Sequence, residues 1–182
     1  MPIRTAQQYM ASLRDDRAIY IDGERIKDVT KDYRFIGAAE TMAELLQMQH
    51  DPDHADTLTY ISPSTGDKVG MSHIQPKSKD DVKARGDAMK MWMDATCGML
   101  GRSPDYKNVM VAAWAAAAEV FDRESFDGSS NIRKFYEYVR ENDSTMTHVL
   151  VNPQVDRSRP AHLQESEIVA QIVKETDKGM IV

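Results

Sequence analysis

CGMLGRSPDYKN, running from Cys97 to Asn108, is the stretch whose reading decides the fold. Gly98 and Gly101 break a helical run, because glycine admits left-handed backbone and close approach. Ser103-Pro104-Asp105 then restarts a helix. Serine is a good N-cap, proline suits the first helical position, and aspartate suits the positive end of the helix dipole. Arg102 stands between the break and the restart, with Tyr106 about one turn further on. The corner fits two readings. It is either a plain helix–loop–helix turn, with Arg102 solvated and Tyr106 packing, or a guanidinium and a phenol held at a helix N-terminus that favours anions.

Working outward, the helix entering the corner runs from the Ser78 cap to Cys97. Asp80 and Asp81 lie in its first turn, and Val82, Met89, Trp92, Met93 and Thr96 form its apolar stripe. The helix leaving the corner spans Asp105 to Phe121. Its Ala113–Ala118 segment, preceded by Val109, Val111 and Trp114, is apolar most of the way round. That pattern predicts a place in the centre of a bundle. Asp127–Ser130 reads as a loop, and Asn131–Glu141 as a helix with Ile132, Phe135, Tyr136 and Val139 on one face.

Toward the N-terminus, Thr5 and Gln8 make a capping box for a helix over Thr5–Arg14. A hairpin follows, Ala18–Ile21 and Glu24–Val29 around Asp22-Gly23. Phe35, Ala39, Met42, Ala43 and Leu46 give the periodicity of a helix over Tyr33–Gln49, closed by His50-Asp51-Pro52. Leu58–Ile61 and Lys68–Ile74 read as short strands. On the far side, Thr147–Val151 alternates as a strand, and Ile168–Lys174 and Met180–Val182 flank an Asp177-Lys178-Gly179 turn. The three-residue return strand would leave an unpaired apolar edge, so a fragment or a chain that needs a partner is expected. The fold class is mainly α with short β-hairpins.

The 182 residues carry 23 basic and 29 acidic side chains, a net charge of −6, which argues against a general nucleic-acid binder. Cys97 is the only cysteine, which excludes an internal disulfide and a cysteine-rich metal site built from this chain. A reducing, cytoplasmic setting is expected. Met1–Leu13 lacks the apolar core of a signal peptide, and no apolar run reaches membrane-spanning length. The 12 methionines, several at helical spacing, read as core. His50 and His54 stand four apart among Asp51, Asp53 and Asp56, but Pro52 disrupts a helix there. A solvated acidic loop is expected, and no metal site.

His148 opens a second informative stretch, HVLVNPQVDR (148–157). Together with GRSPDYKN (101–108), QYMASLRDDRAIYIDGERIKDVT (8–30), DATCGMLGRSPDYKN (94–108) and the closing KETDKGMIV (174–182), it resembles the flavin-dependent 4-hydroxyphenylacetate 3-monooxygenase family, the oxygenase components of two-component aromatic hydroxylases. The resemblance implies an acyl-CoA dehydrogenase-like fold. Residues 1–143 would be its N-terminal helical domain with a small β-hairpin, and 144–182 the first strands of a middle β-domain. The family's C-terminal helical bundle, which completes the flavin site and drives tetramer formation, has no counterpart in these residues.

The chemistry implied by the resemblance is ortho-hydroxylation of a phenol such as 4-hydroxyphenylacetate. Reduced FAD comes from a separate flavin reductase and reacts with O2 to give a C4a-hydroperoxyflavin. Arg102, Tyr106 and His148 match the family positions that meet the phenolic oxygen, where a cation and hydrogen-bond donors suit a developing phenolate. His148 is also suited to proton transfer. His148, Val149, Leu150, Val151, Gln154, Val155, Asp156 and Arg157 match the flavin-contacting segment. Expected partners are the phenol, O2, the reductase, and either a homo-oligomer or the complementing C-terminal part. The alternative is a truncated, non-catalytic module that binds flavin or a partner chain. A neighbouring branch resembles 4-hydroxybutyryl-CoA dehydratase, which carries an iron–sulfur cluster on the corresponding corner. Gly101 cannot ligate a metal, so a cluster is rejected and Cys97 is expected to be a small buried apolar residue.

Overall fold

The computed structural model describes residues 2–99, 106–148, 156, 158–160, 163, 172–177 and 179–181. The chain forms two compact units, Met1–Met146 and Thr147–Val182. In the first, helix α1 (Ala6–Ser12) precedes a hairpin of β1 (Ile19–Ile21) and β2 (Glu24–Ile26), and α2 (Ile36–Gln47) follows. A short α3 (Ala55–Leu58) leads into a second hairpin, β3 (Thr59–Ile61) and β4 (Lys68–Gly70). A 3-10 turn at Met71–His73 then precedes α4 (Lys79–Ala95), α5 (Tyr106–Ala116) and α6 (Gly128–Glu141).

Where local chemistry is strong, it sets the element. Thr5 Oγ1 accepts from the Gln8 N–H at 3.2 Å and Gln8 Oε1 accepts from the Thr5 N–H at 2.9 Å, closing the capping box of α1. Asp22 and Gly23 take φ of 50° and 80°, the left-handed pair of a two-residue hairpin turn, and Ile19 is placed opposite Ile26. Ser78 and Asp81 form the capping box of α4, and the Asp81 carboxylate also accepts from the Lys77 N–H at 2.8 Å. Cys97 and Gly98 turn left-handed, with φ of 52° and 70°, and end the helical run. The Gly98 N–H bonds back to the Met93 carbonyl at 2.8 Å, a helix-terminating pattern.

Other elements depart from expectation. α2 begins at Ile36 rather than Tyr33, because the Asp32 carboxylate and carbonyl organise a turn there. A short helix occupies Ala55–Leu58, where a solvated loop through Asp56 and a strand beginning at Leu58 were expected. The strand expected over Lys68–Ile74 stops at Gly70, and Met71, Ser72 and His73 turn inward and are buried. A side chain at Gly70 would start 2.9 Å from Gln49 Oε1, so glycine permits this close passage. α6 starts three residues earlier than expected, because Asp127 caps it by accepting from the Ser130 N–H. α5 ends at Ala116, with a 3-10 turn at Ala118–Phe121. It is not enclosed as expected. Among the described residues it buries one face, Val111, Ala112 and Ala115, against Tyr136 of α6, while Ala113 and Trp114 are exposed. On α4 the buried stripe is Ala88 and Trp92, and Val82 is exposed.

The main core joins Leu45, Leu58, Met71, Ala88 and Trp92. A second cluster, Tyr9, Ala43 and Leu46, packs α1 on α2. In the other unit β5 (Lys174–Thr176) and β6 (Gly179–Ile181) form an exposed hairpin with Lys174 opposite Ile181. Thr147 and His148 carry no strand, and the rest of the strand expected to Val151 lies outside the described residues. No helix among the described residues is long and apolar enough to cross a membrane.

Candidate functional site

Tyr106 is the first residue of α5 and is half-buried. The Lys107 ammonium stands 5.3 Å from its ring centroid, within range of a cation–π contact. The same ammonium lies 3.7 Å from Met110 Sδ. A positive charge and a phenol thus share the first turn of a helix, the end whose dipole favours anions.

The turn is held from one side by the segment 71–75. Asn108 Nδ2 donates to Ser72 Oγ at 2.8 Å, and Gln75 Nε2 donates to the Ala112 carbonyl at 3.2 Å. Tyr136 Oη donates to the His73 carbonyl at 2.6 Å, tying the same segment to α6.

Behind it lies a buried polar layer. His73 is 0% exposed, and among the described residues neither ring nitrogen has a hydrogen-bond partner. Burial, reinforced by the Arg140 guanidinium, pushes its pKa down to about 4, so it is neutral at pH 7. Arg140 is itself buried, and donates from Nε to Glu141 Oε1 at 2.7 Å and from Nη2 to Ser64 Oγ at 2.7 Å. Burial pushes Glu141 up, but hydrogen bonds from Ser62, Arg140 and Thr65 outweigh it and hold the carboxyl below its usual range. Burial raises Asp143, which the Arg4 N–H and Gln49 Nε2 partly offset. Burial also pushes the Tyr60 phenol up. These groups are structural supports of the 71–75 segment and the end of α6.

Of the expected site residues, Tyr106 lies in the first unit, and His148 and Asp156 in the second. His148 is exposed. The Asp156 carboxylate accepts from the Ser158 N–H at 2.9 Å and its hydroxyl at 2.6 Å, bonds that hold it below the usual carboxylate range. It stabilises its own turn. Arg102, Val149, Leu150, Val151, Gln154, Val155 and Arg157 lie outside the described residues. Cys97 is exposed, not buried as expected, because α4 ends before it and its left-handed backbone turns it outward. His54 follows a turn at Asp51 and faces that carboxylate at 3.5 Å. Among the described residues no three His, Cys, Asp or Glu side chains gather as metal ligands. Sequence reasoning missed Ser72, Gln75 and Lys107. Asn108 and Lys107 stand inside the corner motif, but a turn serine carries no signal of a partner 36 residues away.

The family described as 4-hydroxyphenylacetate 3-hydroxylase N terminal matches residues 5–182. The chain belongs to this family. A Thermus thermophilus relative, the 4-hydroxyphenylacetate 3-monooxygenase oxygenase component, is 41% identical over 98% of this chain and 36% of its own length. A solved structure of an oxygenase component of 4-hydroxyphenylacetate 3-monooxygenase, complexed with FAD and 4-hydroxyphenylacetate, superimposes with a TM-score of 0.83 at 42% identity, covering 97% of this chain and 36% of that one. The chain therefore spans little more than a third of the length of these relatives. An archaeal 4-hydroxybutyrylCoA dehydratase from N. maritimus shares the fold, with a TM-score of 0.76 at 19% identity over 98% of this chain and 35% of that one. This places the helical unit and its short strand pairs in the acyl-CoA dehydrogenase-like class.

Proposed function

We propose that the chain supplies part of the phenol and flavin site of a two-component aromatic monooxygenase, one that hydroxylates a phenol such as 4-hydroxyphenylacetate ortho to its hydroxyl. The observation that carries the reading is the family match over residues 5–182, joined to a solved relative that holds both FAD and 4-hydroxyphenylacetate. In this reading residues 1–143 are the N-terminal helical domain and 144–182 open the middle β-domain. A separate reductase delivers the reduced flavin, and the whole protein is a homo-oligomer.

The residues fit a bound flavin by their chemistry. Asp156 has its charge taken up within its own turn, so it does not oppose an anionic cofactor. His148 is exposed. Reduced FAD, when bound, supplies the oxygen chemistry. This chain's residues bind, orient and move protons. Tyr106 and Arg102 donate to the phenolic oxygen, which stabilises negative charge as it grows there. The Lys107 ammonium beside the Tyr106 ring strengthens that field. His148, a group that titrates near neutral pH in its ordinary state, takes the phenolic proton. His148, Val149, Leu150, Val151, Gln154, Val155, Asp156 and Arg157 form the flavin-facing segment.

The test is an anaerobic titration of the 182-residue chain with reduced FAD, read by flavin fluorescence, then with 4-hydroxyphenylacetate. Saturable flavin binding, weakened by His148→Ala, and phenol binding, weakened by Arg102→Ala and Tyr106→Phe, are expected. Each phenol-site substitution should weaken binding about tenfold, the scale of a hydrogen bond to a charged group. A folded chain that binds both ligands equally well after all three substitutions overturns the assigned roles. A folded chain that binds flavin but no phenol, or neither ligand, supports the alternative of a truncated, non-catalytic module that binds flavin or a partner chain.

A further inference from the structure

We propose that Ser72 and Asn108 are positioning residues for the phenol site: their hydrogen bond fixes the rotation of α5 and so aims Tyr106. The inference rests on the reading above that Tyr106 meets the substrate's phenolic oxygen.

Ser72 is a fixed point. It is 3% exposed, and its neighbours Met71 and His73 are buried, Met71 within the main core. The segment is pinned a second time where Tyr136 Oη meets the His73 carbonyl at 2.6 Å. Asn108 reaches this point with a 2.8 Å bond to Ser72 Oγ. Successive residues turn about 100° around a helix, so Asn108 and Tyr106 project from nearly opposite sides of α5. Holding Asn108 toward the 71–75 segment therefore turns Tyr106 away from it.

One bond would leave α5 free to swivel. The second lies one turn on, where Gln75 Nε2 donates to the Ala112 carbonyl at 3.2 Å. Residues 108 and 112 share a face, so the two bonds fix rotation and axial position together. The apolar packing of Val111, Ala112 and Ala115 on Tyr136 is non-directional and made of small side chains, so it sets distance better than angle. A swivel is magnified at the end of the long tyrosine side chain, and a misplacement of about 1 Å can lower a rate roughly 100-fold.

The experiment is a double-mutant cycle in the full 182-residue chain: Ser72→Ala, Asn108→Ala and the pair, with Asn108→Asp as the conservative variant, whose carboxylate accepts from the Ser72 hydroxyl and remakes the bond in the reverse direction. Two readouts are taken. One is the fluorine NMR resonance of 3-fluorotyrosine at position 106, assigned through Tyr106→Phe. The other is the Kd for 4-hydroxyphenylacetate with reduced FAD present. Each single substitution should shift the Tyr106 resonance and raise Kd about fivefold, the scale of one neutral hydrogen bond, and the pair should do no worse than either. Asn108→Asp should restore both. An unmoved Tyr106 resonance, or losses that multiply in the pair, overturns the proposal. If the unsubstituted chain binds no phenol, the reading of the site fails. The resonance then decides the clamp alone, upholding it if it shifts and overturning it if it does not. Should an alanine variant not fold, Ser72→Thr, which keeps the hydroxyl, and Ser72→Val, which lacks it, make the same comparison.

Discussion

Replacing His73 with leucine should remove an acid-sensitive element from the fold. The imidazole is 0% exposed, has no hydrogen-bond partner at either nitrogen among the described residues, and shares its surroundings with the Arg140 guanidinium. Protonating it means placing a second cation in a space without solvent. In the unfolded chain the ring titrates near 6.5, and in the fold its pKa is pushed down to about 4. The folded form thus binds fewer protons between these values. Stability is full above pH 6.5 and falls as the pH drops toward 4. The slope approaches about 1.4 kcal/mol per pH unit, and the total over the window is roughly 3 kcal/mol. Asp143, raised by burial, acts in the opposite sense, and Glu141, held low, in the same sense, but both are common to the two proteins. The difference curve therefore isolates the histidine. Urea unfolding in steps from pH 7.5 to 4.5 supplies it, provided the m-value is constant. Curves for the two proteins that run parallel, or a folded-state His73 that titrates near 6.5 by NMR, would refute the reasoning.

Two further substitutions test packing. A methyl group at Gly128 would stand 2.1 Å from the Phe121 carbonyl oxygen, whereas one at Gly86, in mid-α4, meets nothing within 4 Å. Gly128→Ala should therefore destabilise by about 2 kcal/mol or more, and Gly86→Ala should stabilise by about 0.5–1 kcal/mol. Midpoints of urea unfolding that move in the same direction for both would contradict this. Leu58 is 0% exposed at the centre of the main core, so Leu58→Ala should lower unfolding free energy by about 2–5 kcal/mol. A loss under about 1 kcal/mol would show that the core collapses onto the site.

What the sequence made legible is what short-range chemistry controls. Thr5 with Gln8, Asp22 with Gly23, and Ser78 with Asp81 each settle their structure within four residues, and each is found in place. The family resemblance, resting on separated segments, likewise leads to the right fold. What was hidden depends on distant partners. The inward turn at Met71–His73 replaces an expected strand because its bonds go to Asn108 and Tyr136, 36 and 63 residues away. α5 looked like a fully enclosed helix because composition reports how apolar a face is, not what covers it. For the site, Tyr106 could be picked out from the restart motif, while its support from Ser72 left no local trace. Cys97 was misjudged because the helix ends at Ala95, two residues before it, and where a helix ends decides which way the next side chains point.

The bonds from Arg4 to Asp143 have a consequence in the time order of synthesis. The Arg4 N–H meets the Asp143 carboxylate at 3.1 Å and its Nε meets the Asp143 carbonyl at 2.9 Å, across 139 residues. α1 can dock on α2 as soon as both have been made, since only the segment of the β1–β2 hairpin lies between them. The Arg4 N–H and Nε, beside the buried Ile3, do not meet these acceptors until residue 143 has been added. Closing so large a loop is only about 1 kcal/mol harder than closing the 36-residue one between Ser72 and Asn108. The barrier is therefore one of waiting more than of energy: through most of its synthesis the first unit holds an open N-terminal strap, and its seal is among the last contacts to form.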